Sequence, residues 1–376
     1  MKSKIVIDCI SLLSPFTGIG RYTYENAKRV SKDESCEWSF YYGFYSKKLY
    51  GGKNSITKIK SLMTKKTFFK KAVKKLLVLY TKYFCFKTFD LYWQPNYIPD
   101  LNVKAKKRIV SVHDFSFYLN PSWHPKERLD FFEKNFWKNI KKADRIITGS
   151  FYTKHEIEKY LKIDPLKIDV IYHGVDHNIY KEYDTKILEE FREKLRLPKE
   201  FFLFVGSVEP RKNLLFLMNS YSKLPKEIKR KYKLLIVGFK GWENEKVKEL
   251  LDKESENILY IGYLSDIELA YIYNLAKIFI YPSLYEGFGI PPLEAMACKT
   301  CTIVSNRASL PEICAEGALY TNPLNEEDLI KKILKILENE KLQKELIQKG
   351  YNRAKNFDWE KSAMEHLEVF KREIDR

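Results

Sequence analysis

Short apolar runs recur along the chain, separated by longer stretches with the spacing of amphipathic helices. In the first half the runs Ile5–Asp8, Trp38–Tyr42, Leu91–Trp93, Ile109–Val112, Arg145–Thr148 and Val170–Tyr172 read as strands. In the second half Leu203–Gly206, Leu234–Gly238, Leu259–Gly262, Ile278–Tyr281 and Ile303–Ser305 read the same way. Strand and helix patterns that alternate in this manner predict parallel sheets with helices on their faces. Ser265-Asp266-Ile267-Glu268 has the spacing of a capping box and opens a helix expected to run through Ala276. Asp358-Trp359-Glu360 starts a last amphipathic helix, and the charged, turn-poor stretch 180–198 is the expected place for a domain boundary. A chain of 376 residues exceeds the size at which one core keeps growing, so two domains are expected.

The most informative run is Ser283–Ala297. It follows the apolar run Ile278–Tyr281, which Pro282 and Ser283 end. Gly287 and Gly289 let the backbone approach a ligand, and Pro291 and Pro292 suit the first turn of a helix. A loop entering a helix N-terminus favours a phosphate. Glu286 and Glu294 bracket that loop, and carboxylates beside a phosphate are better placed against hydroxyls. The pattern fits a sugar nucleotide, with phosphate on the loop, ribose on one glutamate and sugar on the other. A second run, Val205–Asn213, places Arg211 and Lys212 just before a helix, where cations oppose the helix dipole unless an anion joins them. His113-Asp114 falls at the C-terminal end of strand Ile109–Val112, where open parallel sheets place ligands. Gly18-Ile19-Gly20 follows the first strand but lacks the third glycine, the tight turn and the downstream acid of a dinucleotide-binding fingerprint, which excludes the nicotinamide reading.

Together these runs resemble the E-x7-E signature and accompanying motifs of glycosyltransferase family 4, retaining enzymes of the GT-B fold, with matches spread from residue 8 to residue 359. The resemblance implies an α/β fold of two Rossmann-like domains whose parallel sheets face across a cleft. Residues 1–182, completed by the helix 358–376, would bind the acceptor, and residues 183–357 the nucleotide sugar. His113, Lys212 and Glu286 are the implied catalytic residues: His113 near the anomeric centre, Lys212 on the phosphates, Glu286 on the donor sugar. The implied donor-binding set is Gly18 and Gly20 of a first glycine loop, Arg211, Lys212, Leu264 in the turn whose backbone reads the base, Phe288, Gly289, Ile290, and Glu294 on the ribose hydroxyls. Many members carry an arginine directly after the glycine of the second run. This chain has Ser207 there, and Arg211 is the expected source of that charge. The runs Ala143–Ser150 with Lys154, His173–Asp176 and Asn306–Glu312 also match the family and read as structural turns. The closest likeness is to bacterial surface-polysaccharide mannosyltransferases. It implies GDP-mannose as donor, with a UDP-sugar as the second choice, and a lipid-linked or polysaccharide acceptor. A noncatalytic membrane-attached assembly protein is the alternative from another class, and would require loss of a key residue that this chain retains.

No D-x-D occurs in the sequence, so no metal and no cofactor beyond the nucleotide sugar are expected. The net charge of +18 is concentrated between Lys47 and Lys87, where thirteen lysines meet no acid and alternate with apolar residues. That composition fits a solvated basic face or a helix on an anionic membrane surface, and the lipid-linked acceptor favours the membrane. No nucleic-acid recognition motif accompanies the charge. Six cysteines, among them Cys298 and Cys301 in a C-x-x-C without a second pair, make neither a disulfide framework nor a zinc site. The N-terminal apolar run is too short for a signal peptide and no run could span a bilayer, so the expected place is cytoplasmic and peripheral at the membrane.

Overall fold

The computed structural model describes residues 2–13, 18–51, 87–238 and 245–376. Most of the Lys47–Lys87 run therefore lies outside the described residues, as does Thr17. The chain divides into two compact units: Met1–Phe117, His124–His173 and Trp359–Arg376 form the first, Tyr118–Trp123 and Gly174–Asp358 the second. The division after His173 precedes the one read from the sequence. The stretch 180–198 is not a linker but holds a helix, Thr185–Leu195, capped by Asp184. Leu188 and Phe191 are buried on one face of it, and the Phe191 ring stands 5.2 Å from Tyr271.

In the first unit β1 (Ser3–Asp8), β2 (Cys36–Tyr41), β3 (Tyr45–Ser46), β4 (Phe89–Gln94), β5 (Ala105–Ser111), β6 (Arg145–Thr148) and β7 (Ile168–Val170) form one sheet in the order β3-β2-β1-β4-β5-β6-β7. Every pair is parallel except β2 with β3, a two-residue return too short to show any period. β7 sits two residues earlier than expected, because four-residue β6 sets its register through Ile146 with Ile168 and Thr148 with Val170. The order turns back between β1 and β4, and helix α1 (Gly18–Val30) leaves that edge of the sheet. α1 buries Tyr22, Asn26, Ala27 and Val30, the spacing of one helical face. The closing helix Trp359–Ile374 packs against α1, and Trp359, Ala363, Val369 and Phe370 share a core with Ile5, Ile7, Leu91 and Trp93. Buried Glu373 fixes its far end by accepting from Arg145 Nε at 2.9 Å.

The second unit is wholly parallel: β8 (Phe201–Val205), β9 (Lys233–Val237), β10 (Ile258–Gly262), β11 (Ile278–Tyr281), β12 (Thr302–Ser305) and β13 (Leu319–Thr321), in the order β10-β9-β8-β11-β12-β13. β8 and β11 are neighbours, so the turns leaving their C-terminal ends emerge side by side. This is the reversal point at which open α/β sheets hold ligands. The capping box at Ser265 is formed and opens the helix Asp266–Leu275. No described helix is long and apolar enough to cross a membrane.

Candidate active site

The turn after β8 carries Glu209, then a short 3-10 turn Pro210–Lys212, before Asn213 enters the helix Leu214–Ser222 in the left-handed region (φ 59°). The turn after β11 carries Ser283–Gly289. The two are tied together by Leu284 N donating to Arg211 O at 2.8 Å and by Asn213 Nδ2 donating to Pro282 O at 3.2 Å. Between them the predicted charges converge. Arg211 Nη1 donates to Glu286 Oε2 at 2.6 Å and Lys212 Nζ to Glu286 Oε1 at 2.7 Å. The Tyr281 hydroxyl, at the end of β11, donates to Glu286 Oε1 at 3.0 Å and receives a hydrogen bond from Lys212. Lys212 and Glu286 are both buried.

Burial alone would raise the Glu286 carboxyl, but Arg211 and Lys212 outweigh it and hold it at about 2. Burial and the neighbouring Arg211 push the Lys212 ammonium down, against the pull of Glu286. Ser207, where many family members carry an arginine, donates to Glu209 Oε1 at 2.6 Å, and Glu209 Oε2 accepts from Arg211 Nε at 2.9 Å. Ser207 and Glu209 thus brace Arg211 from one side while its other nitrogen reaches Glu286. Two cations face two carboxylates, so the cluster is neutral within itself.

The rest of the loop is built to stay in place. Gly289 caps the helix Ile290–Ala297 at φ 101°, and a Cβ there would stand 2.7 Å from Leu310 Cδ2. Pro291 and Pro292 sit in the first turn, as read, leaving Ile290 as its first N–H. Ser309 Oγ donates to the carbonyls of Glu286 and Phe288 at 2.8 and 2.9 Å. Phe288 is buried against Phe357, with ring centres 5.9 Å apart. Glu294 is buried on the helix and accepts from the Tyr273 hydroxyl at 3.3 Å. Tyr273, Phe279 and Tyr281 then form a run of contacting rings from Glu294 toward Glu286. Leu264 is half-buried, between Gly262 and the Ser265 cap.

In the first unit His113 follows β5. Its Nε2 donates to the Pro95 carbonyl at 2.7 Å, so the neutral ring carries its proton there, and burial pushes its pKa down. The rings of Tyr22 and Tyr97 meet it edge-on at 5.0 and 5.4 Å. Gly18 and Gly20 do not form a loop: both lie in the first turn of α1, Gly18 exposed and Gly20 buried. No sequence signal marks Tyr281, Glu209 or Ser309 as functional: by pattern Tyr281 is one more apolar strand position, Glu209 has only its place in the Val205–Asn213 run, and Ser309 belongs to a supporting turn. The described cysteines are buried free thiols.

A family model described as "Glycosyl transferases group 1" matches residues 187–353, and one described as "Glycosyltransferase Family 4" matches residues 90–179. The chain is 27% identical over 389 residues to O-antigen chain mannosyltransferase B of Escherichia coli, covering 98% of this chain and 99% of that protein. It is 32% identical over 279 residues to the serotype-specific mannosyltransferase WbdA of Escherichia coli, covering 72% of this chain but only 32% of that longer protein. Among solved structures it superposes on HepE of Anabaena in complex with UDP and glucose, with a TM-score of 0.71, 15% identity, and coverage of 98% and 99% of the two chains. With both halves matched by glycosyltransferase models, two parallel α/β sheets and near full-length similarity to an O-antigen mannosyltransferase, the chain belongs to glycosyltransferase family 4, as a hexosyltransferase of the GT-B fold.

Proposed function

We propose that the chain transfers mannose from GDP-mannose to a lipid-linked or polysaccharide acceptor in cell-surface glycan synthesis, with retention of configuration and without a divalent metal. The observation that carries the reading is the convergence of Arg211 and Lys212 on Glu286 where β8 and β11 lie side by side. A diphosphate entering there takes both cations. Glu286, relieved of its ion pairs, is then free to accept from sugar hydroxyls, and Glu294 from those of the ribose. The cations and the Ile290 amide stabilise the departing phosphate where its charge develops. The acceptor hydroxyl attacks from the face the nucleotide leaves and passes its proton to the departing phosphate. His113, neutral with Nε2 committed to Pro95, orients the sugar rather than shuttling a proton. Similarity to two mannosyltransferases supports the sugar. The UDP and glucose held by HepE favour a second reading, a UDP-sugar donor.

The test is a thermal-shift panel of GDP, UDP, ADP and their sugars. The true donor at 100 times its Kd stabilises by about 2.7 kcal/mol. Stabilisation by UDP-glucose and not by GDP-mannose would move the assignment to the second reading. Transfer abolished by EDTA and restored by Mg2+ would overturn the metal-free step. Flotation with anionic liposomes that survives neutralising the lysines from Lys65 to Lys75 would remove those lysines from the proposed membrane contact.

A further inference from the structure

The histidine assigned to the donor sugar does not stand alone. Behind it, inside the first unit, lies a hydrogen-bonded chain that no turn motif of the sequence announces. Trp93 Nε1 donates to Ser111 Oγ at 3.0 Å, and Ser111 Oγ is 2.9 Å from the Tyr22 hydroxyl. The Tyr22 hydroxyl is in turn 2.6 Å from His366 Nε2. His366 lies on the closing helix, and its Nδ1 is 2.7 Å from the Ser362 carbonyl. A carbonyl only accepts, so Nδ1 carries the proton and the neutral ring offers the lone pair of Nε2. The direction of every bond follows: indole to serine, serine to tyrosine, tyrosine to histidine, histidine to backbone. Tyr22, Trp93, Ser111 and His366 are all buried, so no solvent competes for these bonds.

The chain ends on one geometric consequence. The Tyr22 ring, held by its hydroxyl, meets the His113 ring edge-on at 5.0 Å and the His173 ring at 4.7 Å. His173 lies parallel to Trp359 at the start of the closing helix, 6.2 Å away. His113 therefore has its Nε2 fixed by Pro95 and its ring plane fixed by Tyr22 and Tyr97. We propose that His366 is a positioning residue for sugar transfer: by accepting a hydrogen bond from the Tyr22 hydroxyl it sets the ring against which His113 is oriented. This rests on the donor-facing role of His113 given above.

The test compares wild-type chain, Tyr22→Phe, His366→Leu and His366→Gln, each checked for folding by its melting transition. Glutamine places an acceptor oxygen close to the position of Nε2, and leucine does not. In Tyr22→Phe and His366→Leu, kcat is expected to fall between about 10- and 100-fold with KM for the nucleotide sugar unchanged, the signature of a misplaced reacting group. His366→Gln is expected to recover most of that loss. In 15N spectra of the imidazoles, His113 is expected as the Nε2–H tautomer in the wild type and displaced in Tyr22→Phe and His366→Leu. Equal losses in His366→Gln and His366→Leu, or His113 resonances identical in folded Tyr22→Phe and wild type, would overturn the proposal. The His366 pair decides it even where Tyr22→Phe does not fold. A wild-type chain that uses no nucleotide sugar defeats the functional reading instead, while the imidazole spectra still report on His366.

Discussion

Replacing Glu286 by glutamine should weaken the protein and strengthen its hold on a diphosphate. Glu286 is held at about 2 against an ordinary 4.5, a difference equivalent to about 3 kcal/mol of stability. Because its folded value is depressed, this contribution is present above pH 4.5 and is lost as pH falls through 2. The substitution removes it at neutral pH and leaves Arg211 and Lys212 close together with only Glu209 opposite. Breaking a buried pair from one side costs about 3–5 kcal/mol, and the retained amide oxygen places glutamine at the low end. For a unit of this size about 3 kcal/mol lowers the melting midpoint by about 6–12 °C. The same change removes the internal anion that competes with phosphate. Calorimetry with pyrophosphate should then show Kd falling about tenfold, equivalent to about 1.4 kcal/mol, while sugar transfer is lost. Melting and pyrophosphate affinity must therefore move in opposite directions. An unchanged midpoint, or pyrophosphate binding no tighter than wild type, would refute the idea that Glu286 occupies the cations until a phosphate arrives.

Three further outcomes are expected. Lys212→Ala should slow transfer by about 100-fold or more, the usual consequence of removing one stabilising donor from a developing charge, and full activity would place Lys212 outside the chemistry. Gly289→Ala should destabilise by about 1–3 kcal/mol from its positive φ. Shortening Leu310 should relieve only the contact with the new methyl, so a full rescue in the double variant would contradict the backbone explanation. Buried Asp8 accepts from the Tyr92 hydroxyl at 2.9 Å and Ile10 N at 3.0 Å, yet burial still raises it from 3.8 to about 7. That raised value favours folding fully below pH 3.8, and the benefit is lost as pH rises toward 7. The urea stability of wild type relative to Asp8→Asn should therefore drop by about 3 kcal/mol between pH 5 and pH 8, and a pH-independent difference would exclude Asp8.

Local pattern carried a great deal. The buried strands show as apolar runs because both faces of a parallel sheet are covered, and Ser265 with Glu268 marks a helix start through bonds closed within one turn. The residues that meet at the cluster, Arg211, Lys212 and Glu286, were already conspicuous because charges before a helix and glutamates in a glycine loop need a reason. What local pattern does not contain is which strand edges pair. Strand order alone lays β8 beside β11 and brings Arg211 onto Glu286 across 75 positions. It also explains why Tyr281, a strand residue by its spacing, turns its hydroxyl into the cluster. The helix inside 180–198 was obscured by its many charges, although its two buried positions, Leu188 and Phe191, lie three apart.

The architecture class, the turns rich in charge and glycine and the kind of ligand expected there are legible along the chain, because hydrophobic period, glycine and proline geometry and charge are properties of neighbouring residues. The pairing of Glu286 with both cations, and the reach of Tyr22 to His366 across 344 positions behind His113, come from packing. Those facts depend on how sheets order their strands and where the last helix docks, and burial then gives such long-range contacts their strength.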